Sequence, residues 1–275
     1  MRKELQKYFR NDKLPHIWCP GCGHGIITGA VIRAIDNLNL EQSKICIVSG
    51  IGCSSRAPGY MNFNTLHTTH GRALAFATGI KMANHDLKVI VLTGDGDCSA
   101  IGGNHFIHAA RRNIDITTIV FNNSIYGMTS GQYSPMTPKG AFATTAPYGN
   151  IDRNFDLCKL GQSAGATYVA RGTVYHVPQL IKLIEKALKH KGFSLIDVVD
   201  ICPTYFGRRN KMGSPVIMME KIREMSITAK TAAKLSPEEL SGKIVIGEFC
   251  EEKAPEYTKE YNKIIKKAQG GNQNG

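Results

Sequence analysis

Two cysteines separated by two residues, Cys19 and Cys22, stand in the segment WCPGCGHG at residues 18–25. Three chemistries use a Cys-x-x-Cys pair: dithiol–disulfide exchange, structural zinc and an iron–sulfur cluster. Exchange is disfavoured because the preceding FRNDKLPHI lacks the pattern of a buried strand. The flanking residues do not decide between zinc and a cluster, so the rest of the chain must.

A second group of polar residues follows two apolar runs. Gly94-Asp95-Gly96 comes directly after KVIVLT, and Asn122-Asn123 directly after ITTIVF. Ligands bind beyond the carboxyl ends of strands in open parallel sheets. One carboxylate and one amide oxygen at such an edge suit Mg²⁺, which also binds phosphate oxygens and water. The glycines allow close approach of a phosphate, and a following helix N-terminus adds amide donors.

Two better-known phosphate loops are excluded. The dinucleotide fingerprint requires a third glycine where this chain has Ser99, and the pattern GxxxxGK[ST] occurs nowhere in the chain. The segment GDG alone is typical of a tight turn after a strand. Its combination with NN, 26 residues after Gly96, is a much more specific signal.

Apolar runs rich in β-branched residues recur along the first 200 residues and are nearly continuous, as expected of strands buried on both faces. They predict strands at 44–49, 88–93, 116–121, 167–171 and 193–199. Apolar residues at three-and-four spacing predict helices within 26–38, 73–83, 104–112 and 177–190. This alternation predicts an α/β fold with a parallel sheet and helices on both faces.

The pattern changes after Cys202. We predict one α/β domain over residues 1–205 and a C-terminal extension over residues 206–275 that packs on this domain or on a partner subunit. Within the extension, KIVIGEF at 243–249 predicts a short strand, and residues 268–275 predict a frayed tail.

The formal charge is +12, from 34 Lys and Arg against 22 Asp and Glu, which favours anionic partners. Nucleic acid is disfavoured, because the chain has no zinc-finger spacing, RNP-like aromatic run or long basic block. No apolar run approaches the ~18 residues of a membrane span, and the N-terminus lacks the apolar part of a signal peptide. We therefore expect a cytoplasmic protein without nucleic-acid or membrane partners, whose eight cysteines are ligands or core residues.

The GDG…NN pattern resembles the diphosphate-binding motif of thiamine-diphosphate enzymes, and longer segments extend the resemblance. These are WCPGCGHG, IGCSSR, THGRALAFATGIK, GDGDCSAIGGNHFIHAARRNID, NNSIYGMTSGQYSPMTP and ICP. Together they resemble the β subunit of 2-oxoacid:ferredoxin oxidoreductases through most of residues 17–205, and its 2-oxoglutarate members most. The resemblance implies a thiamine-diphosphate-binding fold of the diphosphate-binding type.

The resemblance also implies the cofactor residues. Asp95 and Asn123 would bind Mg²⁺ through their side chains, and Ile125 through its carbonyl. The predicted residues of the cofactor site are Ile51, Gly52, Cys53, Ser54, His70, Gly94, Asp95, Gly96, Asp97, Asn123, Ile125, Gly127, Met128 and Thr129. His70, near the diphosphate, and Arg56, as the partner of a substrate carboxylate, are the predicted catalytic residues. The alternatives are a capping or core role for His70 and a structural ion pair for Arg56.

By the same resemblance, Cys19, Cys22, Cys53 and Cys202 match the four ligands of a [4Fe–4S] cluster. Cys53 and Cys202 follow the predicted strands at 44–49 and 193–199, so both could reach the sheet edge of the cofactor site. Zinc bound by the same four cysteines is the alternative. Cys46 is predicted to lie in the core, and Cys98, Cys158 and Cys250 have no predicted role.

The function that the resemblance implies is coenzyme A-dependent oxidative decarboxylation of a 2-oxo acid, most specifically of 2-oxoglutarate to succinyl-CoA, with electrons passing to ferredoxin. Thiamine enzymes take the glutamate that activates the aminopyrimidine from a second, similar domain. We therefore predict an obligate complex with an α-type subunit, with γ and ferredoxin-like δ subunits as further partners.

Three alternatives remain at this point. The substrate could be pyruvate or a branched or aromatic 2-oxo acid. The chain could belong to a non-redox thiamine decarboxylase, which needs no set of four cysteines. A zinc-stabilised binding module would leave the GDG…NN pattern unexplained.

Overall fold

The structure, a computed structural model, describes residues 3–270. Within that range the chain forms ten strands and nine α-helices. The strands are β1 Ile45–Ser49, β2 Asn64–His67, β3 Lys88–Gly94, β4 Ile116–Asn122, β5 Ile125–Tyr126, β6 Gln132–Tyr133, β7 Tyr168–Thr173, β8 Ser194–Val199, β9 Ser226–Thr228 and β10 Ile244–Glu251. The helices are α1 His24–Asn37, α2 Ala57–Tyr60, α3 Ala73–Ala83, α4 Gly103–Arg111, α5 Leu157–Ser163, α6 Val177–Lys189, α7 Pro215–Met225, α8 Ala229–Ala232 and α9 Tyr257–Ala268.

Eight of these strands form one sheet in the order β2-β1-β3-β4-β8-β7-β10-β9. All neighbouring strands are parallel except β10, which runs antiparallel to β7. The five strands predicted in the first 200 residues are confirmed as β1, β3, β4, β7 and β8, and the four predicted helices as α1, α3, α4 and α6. β5 and β6 form a separate antiparallel hairpin.

Helices cover both faces of the sheet, which explains why the strands are apolar at nearly every position. In β1, Ile45 and Ile47 pack in the core under α1 and α6, while Cys46 and Val48 pack in the core under α3 and α4. Side chains alternate between the two faces of a strand, so a strand covered on both sides needs apolar residues in both registers. The predicted α/β fold with helices on both faces is confirmed.

The chain after residue 205 packs on this sheet. The predicted strand at 243–249 is confirmed as β10, which covers the edge of β7, and β9 extends the sheet beyond it. Covering an edge strand in this way satisfies its free backbone groups. The division at residue 205 stays a prediction. Ala268 ends α9, and residues 271–275 of the predicted tail lie outside the described residues.

A buried ion pair joins α3 to the amino-terminal edge of β4. Lys81 Nζ lies 2.9 Å from Asp115 Oδ2, and it donates to the carbonyls of His85 and Leu87, both at 2.9 Å. Burial would raise the pKa of Asp115, but the positive charges of Lys88 and Lys81 outweigh it, so this pKa is lowered. The pair thus stabilises the fold through a fully satisfied ammonium group.

We expect Lys81→Met to lower the free energy of unfolding by about 3 kcal/mol, because it leaves a buried carboxylate and two carbonyls without their donor. A group with a lowered pKa contributes stability above its unfolded pKa, near 4, and loses it as the pH falls through the folded pKa. The difference from the wild type should therefore shrink below about pH 4. Urea unfolding of the full chain at several pH values measures both effects.

Lys186→Met is the matched control, because Lys186 Nζ forms a half-exposed pair with Glu248 at 2.8 Å. Exposed pairs contribute at most about 1 kcal/mol. Equal losses in the two variants would contradict the role assigned to Lys81.

Candidate active site

The candidate site lies at the carboxyl edge of the sheet, where β1, β3, β4 and β8 end side by side. Gly94 of β3 pairs with Phe121 of β4, and Phe121 pairs with Val198 of β8. This register places the loops after the three strands next to one another. The residues predicted at strand ends are therefore brought together by the parallel pairing itself.

A cavity of ≈ 170 Å³, which we call the strand-end cavity, lies among these loops. All fourteen residues predicted for the cofactor site line it. Three further lining residues, His24, Phe121 and Tyr126, were not predicted. Ile51 and Met128 are about half exposed at 42% and 45%, so the cavity is open to solvent on their side.

Asp95 is one of two buried acids that line this cavity, the other being Asp97. The side chain of Asp95 is 3% exposed, and one carboxylate oxygen accepts a hydrogen bond from Ser134 Oγ. Burial raises the pKa of Asp95 to about 7, even though Ser134 and the backbone of Gly96 counteract it. An ionised carboxylate is costly in such a place unless a cation accompanies it. The donor set therefore fits a hard divalent cation such as Mg²⁺.

The backbone after β4 holds Asn123 in place beside this acid. Asn123 is 7% exposed, and its Oδ1 accepts from the amide of Ile125 at 3.2 Å. Ser124 between them has φ +61°, an uncommon conformation for a residue with a side chain, and Thr137 Oγ1 donates to its carbonyl at 2.6 Å. Residues with this backbone strain cluster at functional sites, where the surroundings impose them.

Asp97 connects the loops around the cavity. Its carboxylate bonds to His70 Nδ1 and accepts from the amide of Gly71 at 2.7 Å and from Thr93 Oγ1 at 2.7 Å. It thereby holds the loop after β2 against the loop after β3. His70 also packs edge-on against Tyr126, with ring centroids 6.0 Å apart. The bond to Asp97 and the contact with Tyr126 together fix the orientation of the His70 ring towards the cavity.

Two glycines bring the backbone close to the cavity. A Cβ atom on Gly96 would lie 2.2 Å from the ring of Tyr126, whose hydroxyl donates to the Gly96 carbonyl at 3.1 Å. A Cβ atom on Gly127 would lie 3.4 Å from Cys53 Sγ and 3.8 Å from Cys202 Sγ. A side chain at Gly96 would therefore clash with Tyr126, whereas a Cβ atom at Gly127 would make ordinary van der Waals contact with the two sulfurs.

Cys19, Cys22, Cys53 and Cys202 all line a second cavity of ≈ 250 Å³, which we call the cysteine cavity. Cys53 follows β1, and Cys202 opens a π-helical turn over Pro203–Gly207 just after β8. The two cavities share a wall made of Cys53, Asn123, Gly127 and Met128. The structure therefore brings the four predicted ligands together, directly beside the strand-end cavity.

The spacing of these sulfurs bears on the choice of metal. Among residues 3–270, a single group of three or more Cys, His, Asp or Glu side chains has all its ligand atoms within 4.8 Å of one another. This group is Cys22, His24 and Asp200. No three of the four cysteine sulfurs are that close. Tetrahedral zinc holds its sulfur ligands about 3.8 Å apart. The wider arrangement favours a cluster of several metal ions over a single zinc.

Burial disfavours ionisation of three of these four thiols. Burial raises the pKa of Cys53 to about 11, with a further contribution from the nearby Cys202. Burial likewise raises the pKa of Cys22 and of Cys202. Metal ions bind cysteine as the thiolate, so a metal ion bound here would have to offset this cost for Cys22, Cys53 and Cys202.

His24 and Asp200 form a buried pair near both cavities, with His24 Nδ1 2.5 Å from Asp200 Oδ2. Gly23 leaves room for the carboxylate, because a Cβ atom there would lie 1.9 Å from Asp200 Oδ1. His24 belongs to the segment WCPGCGHG, and Asp200 stands two residues before Cys202. The pair therefore fixes two cysteine-bearing segments against each other.

Arg56 lines the cysteine cavity and not the strand-end cavity. It is exposed and forms no ion pair with any of the described residues, which argues against the structural alternative. Its role towards a substrate carboxylate stays a prediction.

The other four cysteines lie outside both cavities. Cys46, Cys98 and Cys158 are buried in the core under α3 and α4, and the half-buried Cys250 packs against it. The core position of Cys46 is as predicted.

A family profile described as "Thiamine pyrophosphate enzyme, C-terminal TPP binding domain" matches residues 50–198, more than half of the chain. The matched range contains every predicted residue of the strand-end cavity. Fold and site thus define the class: a thiamine pyrophosphate enzyme.

Comparison with known proteins identifies the family within this class. "2-oxoglutarate synthase subunit KorB" of Methanocaldococcus jannaschii is 56% identical over 261 residues, 95% of this chain and 97% of that protein. "2-oxoacid:ferredoxin oxidoreductase subunit beta" of Saccharolobus solfataricus is 49% identical over 190 residues, 68% of this chain and 62% of that protein. The chain therefore belongs to the family of β subunits of 2-oxoacid:ferredoxin oxidoreductases, among the KorB proteins.

A solved structure agrees with this assignment. The "2-oxoglutarate:ferredoxin oxidoreductase from Magnetococcus marinus with 2-oxoglutarate, coenzyme A and succinyl-CoA bound" matches with a TM-score of 0.86 at 33% identity. The match covers 98% of this chain and 92% of that one, so it includes the chain beyond residue 205. Separately, none of the helices within residues 3–270 is long and apolar enough to cross a membrane.

Proposed function

We propose that this chain binds thiamine diphosphate with Mg²⁺ and a [4Fe–4S] cluster, and that it works with an α-type subunit. The complex would oxidise 2-oxoglutarate with coenzyme A to succinyl-CoA and CO₂, passing two electrons to ferredoxin. The observation that carries this proposal is the wall shared by the strand-end cavity and the cysteine cavity. A non-redox thiamine enzyme has no use for four thiols at that place.

Each part of the strand-end cavity has a proposed task. Asp95 and Asn123 offer side-chain oxygens to Mg²⁺, and Ile125 offers its carbonyl. Gly94 and Gly96 let the backbone approach the diphosphate. When bound, thiamine diphosphate supplies the carbanion and the electron sink for decarboxylation, and the cluster supplies a one-electron carrier.

His70 is proposed to hold the diphosphate side of the cofactor. Because Asp97 bonds to Nδ1, the imidazole presents Nε2 to the cavity in a fixed orientation. The contact with Tyr126 leaves the His70 ring little freedom to rotate away from the cavity.

The need for an α-type subunit rests on the carboxylates of the cavity. Among the described residues, no glutamate lines the strand-end cavity, and its two aspartates are bound to Ser134 and to His70. This supports the proposal that the acid that activates the aminopyrimidine comes from another chain. The opening beside Ile51 and Met128 is where that chain would close the site.

The test is reconstitution. The chain is produced anaerobically with and without its α-type subunit, and 2-oxoglutarate- and coenzyme A-dependent reduction of methyl viologen is measured. We expect activity from the complex alone, and a higher kcat/KM for 2-oxoglutarate than for pyruvate. Full activity of the isolated chain, or activity without coenzyme A, would contradict the proposal.

Arg56→Ala tests substrate choice in the same assay. If Arg56 binds the distal carboxylate of 2-oxoglutarate, the variant loses a charge-assisted contact of about 1.5–3 kcal/mol, or roughly 10- to 100-fold in KM. The KM for pyruvate, which lacks that carboxylate, should change little. Lys139→Ala, an exposed basic residue outside both cavities, is the control. Equal effects on both substrates would remove Arg56 from the specificity argument.

A further inference from the structure

The four thiols of the cysteine cavity differ in their access to solvent. Cys19 is exposed, Cys22 and Cys53 are half-buried, and Cys202 is buried. Of the four, Cys53 alone also lines the strand-end cavity. Cys53 thus marks the inner side of the cysteine cavity, and Cys19 marks the side that faces solvent.

Two chain segments form the surface beside Cys19. A Cβ atom on Gly21 would lie 2.4 Å from Pro215 Cγ and 3.6 Å from Pro203 Cγ. Both ends of the segment 203–215 therefore lie against the loop between Cys19 and Cys22. We define the Cys19 surface by seven exposed residues in these two segments or directly beside them: Ile17, Cys19, Pro20, Arg208, Lys211, Val216 and Ile217. Arg209, also exposed, is not included because it donates to Thr144 Oγ1 at 3.1 Å.

The Cys19 surface combines exposed apolar side chains with positive charge. Ile17 and Val216 are each 66% exposed, and Ile217 is 44% exposed. Arg208 and Lys211 are exposed between the two proline contacts. Residues 13–35 and 201–219 contain no Asp or Glu, and Asp200 beside them is buried against His24. No acidic side chain of these segments offsets the basic ones.

We propose that the Cys19 surface is the docking site of a freely diffusing, acidic ferredoxin. This inference rests on the proposed function, in which each 2-oxoglutarate oxidised releases two electrons and so reduces two oxidised ferredoxin clusters by one electron each. Opposite charges steer the encounter, and the few apolar residues hold it briefly. The electrons leave at Cys19, the most exposed of the four thiols.

The composition of the surface fits a transient partner better than a resident subunit. Electron-transfer encounters use small interfaces, below about 1,200 Å². Permanent subunit contacts are larger and more hydrophobic, with charged residues depleted from their centre. The Cys19 surface has three exposed apolar side chains beside two exposed basic ones, which matches a transient electron-transfer interface.

The experiment reverses the charge of the surface within the full complex. Arg208→Glu/Lys211→Glu should raise the KM for an acidic 2[4Fe–4S] ferredoxin by about tenfold or more at low ionic strength, with little change in kcat. The difference in KM between variant and wild type should shrink as the salt concentration rises towards about 0.5 M, because the Debye length then falls to a few ångströms. Calorimetric titration of the complex with oxidised ferredoxin, without turnover, should show the same loss of affinity.

Lys230→Glu/Lys234→Glu is the matched control, with the same charge change on exposed residues in and just after α8. Methyl viologen reduction by all variants separates the two proposals. If viologen is not reduced with 2-oxoglutarate, the proposed function is wrong. If viologen is reduced, but both charge reversals affect ferredoxin equally or not at all, the docking site is wrong.

A second measurement uses the wild-type complex and so does not depend on folding of the variant. Zero-length carbodiimide coupling joins lysine amines to ferredoxin carboxylates, and peptide mapping locates the link. We expect Lys211 among the linked residues. Links confined to other lysines, or a resident iron–sulfur subunit released by the charge reversal, would overturn the proposal.

Discussion

Cys202→Ala is expected to remove about four iron atoms and four sulfides per chain from the anaerobically purified complex, and to abolish ferredoxin reduction. A [4Fe–4S] cluster needs four thiolates, and Cys202 lies with Cys53 against Gly127, where the cysteine cavity meets the strand-end cavity. Iron and sulfide analysis with low-temperature EPR after dithionite measures the loss. If co-purified subunits carry clusters of their own, the difference between variant and wild type is the quantity to compare.

The chain offers two further variants for this test. Cys19→Ala changes an exposed residue, so it should remove the same iron without a cost to the core. Cys250→Ala is the control, because this thiol points to the carbonyls of Ala166 and Thr167 and lines neither cavity. Stoichiometric zinc in place of iron, or unchanged iron in Cys19→Ala, would disprove the cluster and favour a non-redox thiamine subunit.

Asp95→Asn is expected to weaken binding of thiamine diphosphate with Mg²⁺ by roughly 10²- to 10³-fold. The substitution keeps the size of the side chain but removes the one negative charge proposed to contact the cation directly, and loss of one partner of a buried ionic contact costs about 3–5 kcal/mol. Calorimetric titration of the cofactor-depleted complex measures this loss. Near wild-type affinity would exclude Asp95 as a magnesium ligand.

Stability provides an independent readout of the same substitution. In the cofactor-free chain Asp95 is 3% exposed, and burial of its charge is unfavourable. Asp95→Asn should therefore leave thermal unfolding of the cofactor-free chain unchanged or shift it upward while cofactor binding is lost. Asp86→Asn, on an exposed turn before β3, is the control and should change neither quantity.

The position of the site was predictable because parallel pairing has a simple consequence. Asp95 and Asn123 follow neighbouring strands in the chain, and parallel strands end at one edge, so local sequence sufficed to place them together. The same rule placed Cys53 and Cys202. Tyr126 lies in the segment NNSIYGMTSGQYSPMTP, but nothing in its type or spacing indicates that it contacts Gly96.

Contacts between distant segments were not predictable in this way. Ser134 meets Asp95 across 39 residues, and His24 meets Asp200 across 176, and no periodicity encodes such pairs. β2 was missed because its four residues are partly exposed and carry no apolar run. The antiparallel direction of β10 depends on the path of α7, β9 and α8, which the short run KIVIGEF does not contain.

Cys53, Asn123, Gly127 and Met128 form the wall between the two cavities. This shared wall has a consequence for cofactor assembly and for inactivation by oxygen. One loop, residues 122–129, borders both cavities. Under the proposed function, oxidative loss of the cluster would let that loop relax and deform the neighbouring site. Air-exposed protein should then lose the vitamin-derived cofactor together with iron, and reconstitution should succeed only when the cluster is restored first. Inactivation by oxygen would then be a single event that is detected both as loss of iron and as loss of the organic cofactor.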